Sequence, residues 1–177
     1  MSHSQVSRAP GRPNPAPGVM KLFPQRADPR DRRAPRIDMA RIHAEKRKLC
    51  DALEAIADTL PSQVDRLECL KAAGELVPLL RECHRFEEET LFPAFLAAGG
   101  SGEVVARLKA EHVEDQGTAQ ELAEELFRIG HGQAVHNPEA LGYLLRAFFE
   151  SVRRHMAFER DHVLPATREE GEIPGRR

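Results

Sequence analysis

The sequence predicts an all-α protein: an antiparallel, up-down-up-down four-helix bundle with a disordered N-terminal arm. Three observations lead there. Ala, Leu, Glu and Arg dominate the chain after Pro35, while Trp is absent and Tyr occurs once, a composition of strong helix formers. From Ile37 onward four long stretches repeat apolar residues at helical spacing, each with a capping or stop signal. Neither an alternating strand pattern nor a Gly-rich phosphate loop competes with them.

The 177 residues suffice for one domain plus tails. Seven of the 13 prolines fall within residues 1–35, among Ser, Arg and Gly. Proline stops helix propagation and this segment offers few apolar anchors, so disorder is expected there. The bundle is assigned to residues 36–167 and a flexible tail to 168–177.

Helix 1 is expected from about Arg36 to Leu60, with Ile42, Leu49, Leu53, Ile56 and Leu60 on one stripe before Pro61 ends it. Helix 2 follows, with Ser62 as its cap, and continues to about Ala98 before Gly99 and Gly100, with a bend at Pro78. Helix 3 opens near Ser101, carries Val104, Leu108, Leu122, Leu126 and Ile129, and stops at Gly130. Helix 4 has the clearest start: Asn137 as cap, Pro138 at the first helical position and Glu139 beside the positive helix end. It should end near Pro165. Each apolar stripe needs partners, and short connections favour antiparallel neighbours.

The formal net charge of −2 hides an asymmetry: residues 1–35 hold seven Lys/Arg and two Asp, the remainder 19 basic and 26 acidic residues. A basic arm is compatible with nucleic acid, acidic lipid or the protein's own acidic body, and a solvated tail is the default reading. Neither nucleic acid nor a membrane is an expected partner, while a protein partner or a second copy stays open. Cys50, Cys69 and Cys83 are odd in number and match neither a disulfide framework nor a zinc ribbon, which suits a reducing cytosol. No uninterrupted apolar run exceeds five residues, so no membrane span or secretory segment is expected.

The chemistry sits in the apolar stripes. Winding helix 4 at about 100° per residue brings Phe148, Val152, His155 and Glu159 within about 40° of Leu141. A buried, unpaired carboxylate costs several kcal/mol, so Glu159 needs a compensating partner such as a metal ion. Helix 2 repeats the pattern with His84 and Glu88; both pairs read H-x-x-x-E, which places imidazole and carboxylate one turn apart on one face. Glu87 also projects roughly inward, but Glu88 alone matches the His155/Glu159 spacing. Chance gives about one such pair in this composition, so the larger repeat matters more. A lone histidine precedes each pair, His43 by 41 residues and His112 by 43. In an antiparallel bundle these separations return the chain to one level, so four imidazoles and two carboxylates can converge. Two carboxylates bridging two ions, with two imidazoles each, leave room for a small molecule; this donor mixture suits iron, with manganese and zinc fitting less well.

The segments His84-Arg-Phe-Glu-Glu-Glu-Thr-Leu-Phe-Pro93, Glu111-His112 and His155-Met-Ala-Phe-Glu159 resemble the hemerythrin-like (HHE cation-binding) domain, over about residues 37–166. The resemblance implies that His43, His84, Glu88, His112, His155 and Glu159 are ligands of a carboxylate-bridged di-iron pair. Oxygen-carrying members usually place a second histidine one turn after the first on helix 3, where this chain has Gln116. That departure implies an iron less saturated by protein and more open to reaction. Glu111 and Asp115 face the same stripe, as substitutes for that ligand or as acceptors for imidazole N–H groups.

The leading expectation is a cytosolic di-iron protein that binds or responds to dioxygen, nitric oxide or peroxide. Catalytic consumption of peroxide or nitric oxide, and iron handling without gas chemistry, are the alternatives, so whether the chain is an enzyme is left open. His3, His131, His136 and His162 are assigned solvated or supporting roles, and the cysteines are read as small core residues.

Overall fold

A computed structural model describes residues 39–168. The arm expected at residues 1–35 and all but the first residue of the tail expected at 168–177 lie outside the described residues. The helices are α1 (Met39–Thr59), α2 (Arg66–Phe86), α3 (Phe92–Ala97), α4 (Gly102–Gly130), α5 (Pro138–Phe158) and α6 (Leu164–Arg168). A π-helical turn, Glu87–Leu91, joins α2 to α3, and a second, Glu159–Val163, joins α5 to α6. The chain therefore forms four rods, and the described residues contain no strand.

Cross-helix pairs give the direction of each rod. Along α1 and α5, His43 meets Glu159, Asp51 and Glu54 meet Arg153, and Asp58 meets Arg146, so one helix ascends as the other descends. Between α2 and α4, His84 meets Gln116 while Gly130 packs at Leu70, again antiparallel. α1 also packs on α2, and α4 on α5, which closes a four-helix bundle.

One half of this bundle is dry. Leu53, Leu76, Leu80, Leu122, Leu126 and Leu145 are all fully buried, with Phe148 and Phe149 between them. Burying each such side chain contributes roughly 1.5–3 kcal/mol, and this half anchors the helices whose other half carries the polar layer.

Local signals differ from expectation at three points. The cap of α2 is Asp65, whose Oδ1 accepts from the Leu67 and Glu68 N–H groups at 2.8 and 3.3 Å, not Ser62. The Gln63 N–H donates to Thr59 O, so residues after Pro61 still close α1 and the free N–H groups of α2 appear three residues later. Gly130 lies within α4 and the positive-φ glycine that follows it is Gly132 (φ 88°); Gly130 is small because a Cβ there would strike the Leu70 side chain. Pro78 lies inside α2, and the departure from α-helical bonding comes further on, at Glu87. Ser101 and the Asn137-Pro138-Glu139 start cap α4 and α5 as the sequence predicts.

Candidate metal centre

α5 repeats α2 position for position. The offset that carries the cap Asp65 to Asn137 also carries Phe86 to Phe158, Glu87 to Glu159 and Pro93 to Pro165. The two prolines explain the two π turns. A proline has no N–H to donate, and its ring crowds the carbonyl four residues back, here Glu89 and Asp161. The preceding N–H groups, of Phe92 and Leu164, instead donate to Glu87 O and Glu159 O, five residues back, which is a π-helical bond. Each π turn thus begins at a glutamate, and both glutamates are 0% exposed.

This register decides between Glu87 and Glu88. The buried stripe of α2 runs through Cys69, Leu76, Leu80 and Cys83; at about 100° per residue from Leu80, Glu87 falls about 20° away and Glu88 about 80° away. Glu87 is accordingly interior, whereas the Glu88 side chain is 36% exposed at the edge of the layer. The H-x-x-x-E spacing favours Glu88 because it alone matches His155/Glu159, but the offset that carries Glu87 to Glu159 carries Cys83, not His84, to His155, and the structure places Glu87 inward.

His43, His84, His112, His155, Glu87 and Glu159 come together in one buried layer. Glu87 is shared by two groups of converging ligand atoms, His84/Glu87/His112 and Glu87/His155/Glu159, each within 4.8 Å. His43 Nε2 lies 3.0 Å from Glu159 Oε2. His112 Nε2 lies 3.1 Å from Glu87 Oε2 and 3.3 Å from His155 Nε2. On their far sides, His112 Nδ1 meets Glu88 Oε1 at 2.8 Å and His155 Nδ1 meets Glu111 Oε2 at 2.9 Å. Carboxylates there favour a proton on Nδ1, the tautomer in which the Nε2 atom of a neutral imidazole is free to ligate a metal. Glu87 Oε2 and Glu159 Oε1 are buried and form no hydrogen bond. Two unpartnered carboxylate oxygens thus lie in a buried layer with four imidazoles. Such an arrangement is costly unless a cation joins it, and the residues fit a metal ion in donor type, burial and proximity.

Glu88 and Glu111 thus act on imidazoles from behind, for Glu111 one of the two roles expected from the sequence. Gln116, in place of a second helix-3 histidine, meets His84 Nδ1 at 3.2 Å. The His84 ring stacks on His112 at 3.8 Å, and burial followed by the nearby Lys46 charge pushes His84 down to about 2, leaving a neutral imidazole. Asp115 is buried on α4, with its pKa raised by burial against the charges of His155 and Lys46. Burial would raise Glu159, yet the imidazoles of His155 and His43 and the Lys46 charge hold it below the ordinary carboxylate range. His162 lies on the exposed side of the second π turn, away from this layer.

Sequence reasoning missed Lys46. Its side chain is 1% exposed and Nζ donates to Glu87 Oε1 at 2.6 Å. Burial alone would lower its pKa, but the Glu87 and Glu159 charges override this and raise it. A signal existed: Ile42, Lys46, Leu49, Leu53 and Ile56 form a single stripe of α1, and the lysine stands in its middle.

A family model, the hemerythrin HHE cation binding domain, matches residues 37–167. No curated protein and no solved structure matches the chain. With most of its length covered by that match, and with its histidines and glutamates gathered into one buried layer, the chain belongs to the hemerythrin HHE cation-binding family.

Proposed function

We propose that this layer holds iron, two ions sharing Glu87 at full loading, and that the protein binds or responds to dioxygen, nitric oxide or peroxide. His43, His84, Glu87, His112, His155 and Glu159 are the proposed ligands. The observation that carries this reading is the presence of two unpartnered, buried carboxylate oxygens in the two converging groups His84/Glu87/His112 and Glu87/His155/Glu159. Iron bound there supplies a Lewis acid and an electron reservoir. The chain's own residues supply the surroundings. Glu88 and Glu111 orient His112 and His155 from behind, and Gln116 on α4 stands where the oxygen carriers have a further imidazole. The buried Phe92 stacks on His112 at 5.5 Å and covers that imidazole. Three free, buried cysteines support a reducing, cytosolic setting, and no helix among the described residues is long and apolar enough to cross a membrane.

The test is an absorption spectrum of anaerobically reduced, iron-loaded protein before and after exposure to dioxygen, nitric oxide or peroxide, with elemental analysis of the same sample. A spectral change with at least one of them is expected. No change with any of the three, in protein shown to contain iron, would retire the gas-and-oxidant reading and leave iron handling. Consumption of many equivalents per centre would instead assign catalysis.

A further inference from the structure

The two interior carboxylates are not free to serve two ions alike. A carboxylate shared between two cations gives one oxygen to each, and here the two oxygens of Glu87 differ. Oε2 has no hydrogen bond, whereas Oε1 is held at 2.6 Å by the Lys46 ammonium. Glu159 shows the same division, with Oε1 unpartnered and Oε2 against His43.

The Nε2 atoms of two imidazoles lie beside these unpartnered oxygens. His112 Nε2 is 3.1 Å from Glu87 Oε2 and 3.3 Å from His155 Nε2. His155 Nε2 is 3.5 Å from Glu159 Oε1 and 3.9 Å from Glu87 Oε2. The ligand atoms that converge within 4.8 Å form two triads, His84/Glu87/His112 and Glu87/His155/Glu159, so Glu87 is the carboxylate common to both. On the α1 side, the oxygen that a second ion would need carries the ammonium instead.

We propose that Lys46 stands in for the second cation, so that the centre loads unequally: a first ion binds through the unpartnered Glu87 Oε2, and a second enters only by displacing Lys46 from Glu87 Oε1. This rests on the iron-centre reading above. Lys46 is well placed for it. It is fully buried, one turn from His43 on the same helix, and its partner Glu87 is also fully buried, so neither can turn to solvent for compensation.

Metal-free, full-length protein titrated anaerobically with Fe(II), and separately with Co(II) followed by its visible absorption, tests the idea. The wild type is compared with Lys46→Met and Lys46→Gln; the glutamine keeps a hydrogen-bond donor for Glu87 without the charge, which guards against misfolding. The wild type is expected to bind its first ion at least tenfold more tightly than its second, and the variants to bind two ions without that gap. Equal affinity for two ions in the wild type, or an unchanged gap in the variants, overturns the role of Lys46 while leaving the metal centre standing. If neither variant folds, the wild-type isotherm decides alone. Absence of metal binding in every protein sinks the iron reading itself.

Discussion

Adjacent glutamates here carry different chemistry because one lies on the helix stripe and its neighbour lies off it. Glu87 presents an unpartnered oxygen to the interior, while Glu88 meets the outer nitrogen of His112. Glu87→Gln, which still offers an oxygen to Lys46, is expected to reduce metal affinity well beyond the loss caused by Glu88→Ala, for which about 10–100-fold is anticipated from its position behind a ligand. Equilibrium dialysis with elemental analysis measures both, and equal losses would return Glu88 to the ligand set. The histidines were legible because an imidazole in an apolar stripe is conspicuous. The choice between Glu87 and Glu88 was not, since both lie within reach of His84 and only the stripe through Leu76, Leu80 and Cys83 separates them. Lys46 was overlooked because a lysine is rarely buried unless paired, and its partner is 41 residues away.

At the scale of the element, caps and prolines set where each helix begins and changes its bonding. Asp65→Ala is expected to cost about 1 kcal/mol of stability and Ser62→Ala close to none, measured by denaturant unfolding; the reverse order would restore Ser62 as the cap. Asn137-Pro138-Glu139 was readable because all three signals coincide at one start. The turn after Pro61 was not, because whether Gln63 still bonds back to Thr59 depends on how the chain leaves α1. The π turns had a signature, a glutamate six residues before a proline on both α2 and α5. It lay hidden because the histidines, the more obvious markers, are not in the same register: His155 falls opposite Cys83, with His84 one place on.

For the whole molecule, the polar layer ties stability to pH. His84 is held neutral, with its pKa pushed down to about 2 from an ordinary 6.5. The unfolded chain therefore takes up a proton below pH 6.5 that the native state refuses, and the stability linked to His84 is complete above that value and lost as pH falls. The depressed pKa of Glu159 acts in the same direction at lower pH. His155, raised above its ordinary value by Glu159 despite burial, works the opposite way, its contribution being lost as pH rises, but its shift is the smaller. The melting temperature of metal-free protein is thus expected to fall between pH 7 and pH 5, by up to about 1.4 kcal/mol of stability per pH unit for one such group, and less steeply in His84→Gln. An unchanged slope in that variant would remove His84 as the cause.

Taken by itself, the sequence determined that four amphipathic rods must pack together and that four histidines at matched separations return to one level. Period and chain length are local quantities, and they suffice for both. Only the tertiary structure decided which glutamate enters the interior, which carboxylates stand behind the imidazoles, and that a lysine from α1 reaches a carboxylate on α2. Those outcomes depend on the rotation of each helix against its neighbours, a difference of tens of degrees that neither composition nor spacing contains.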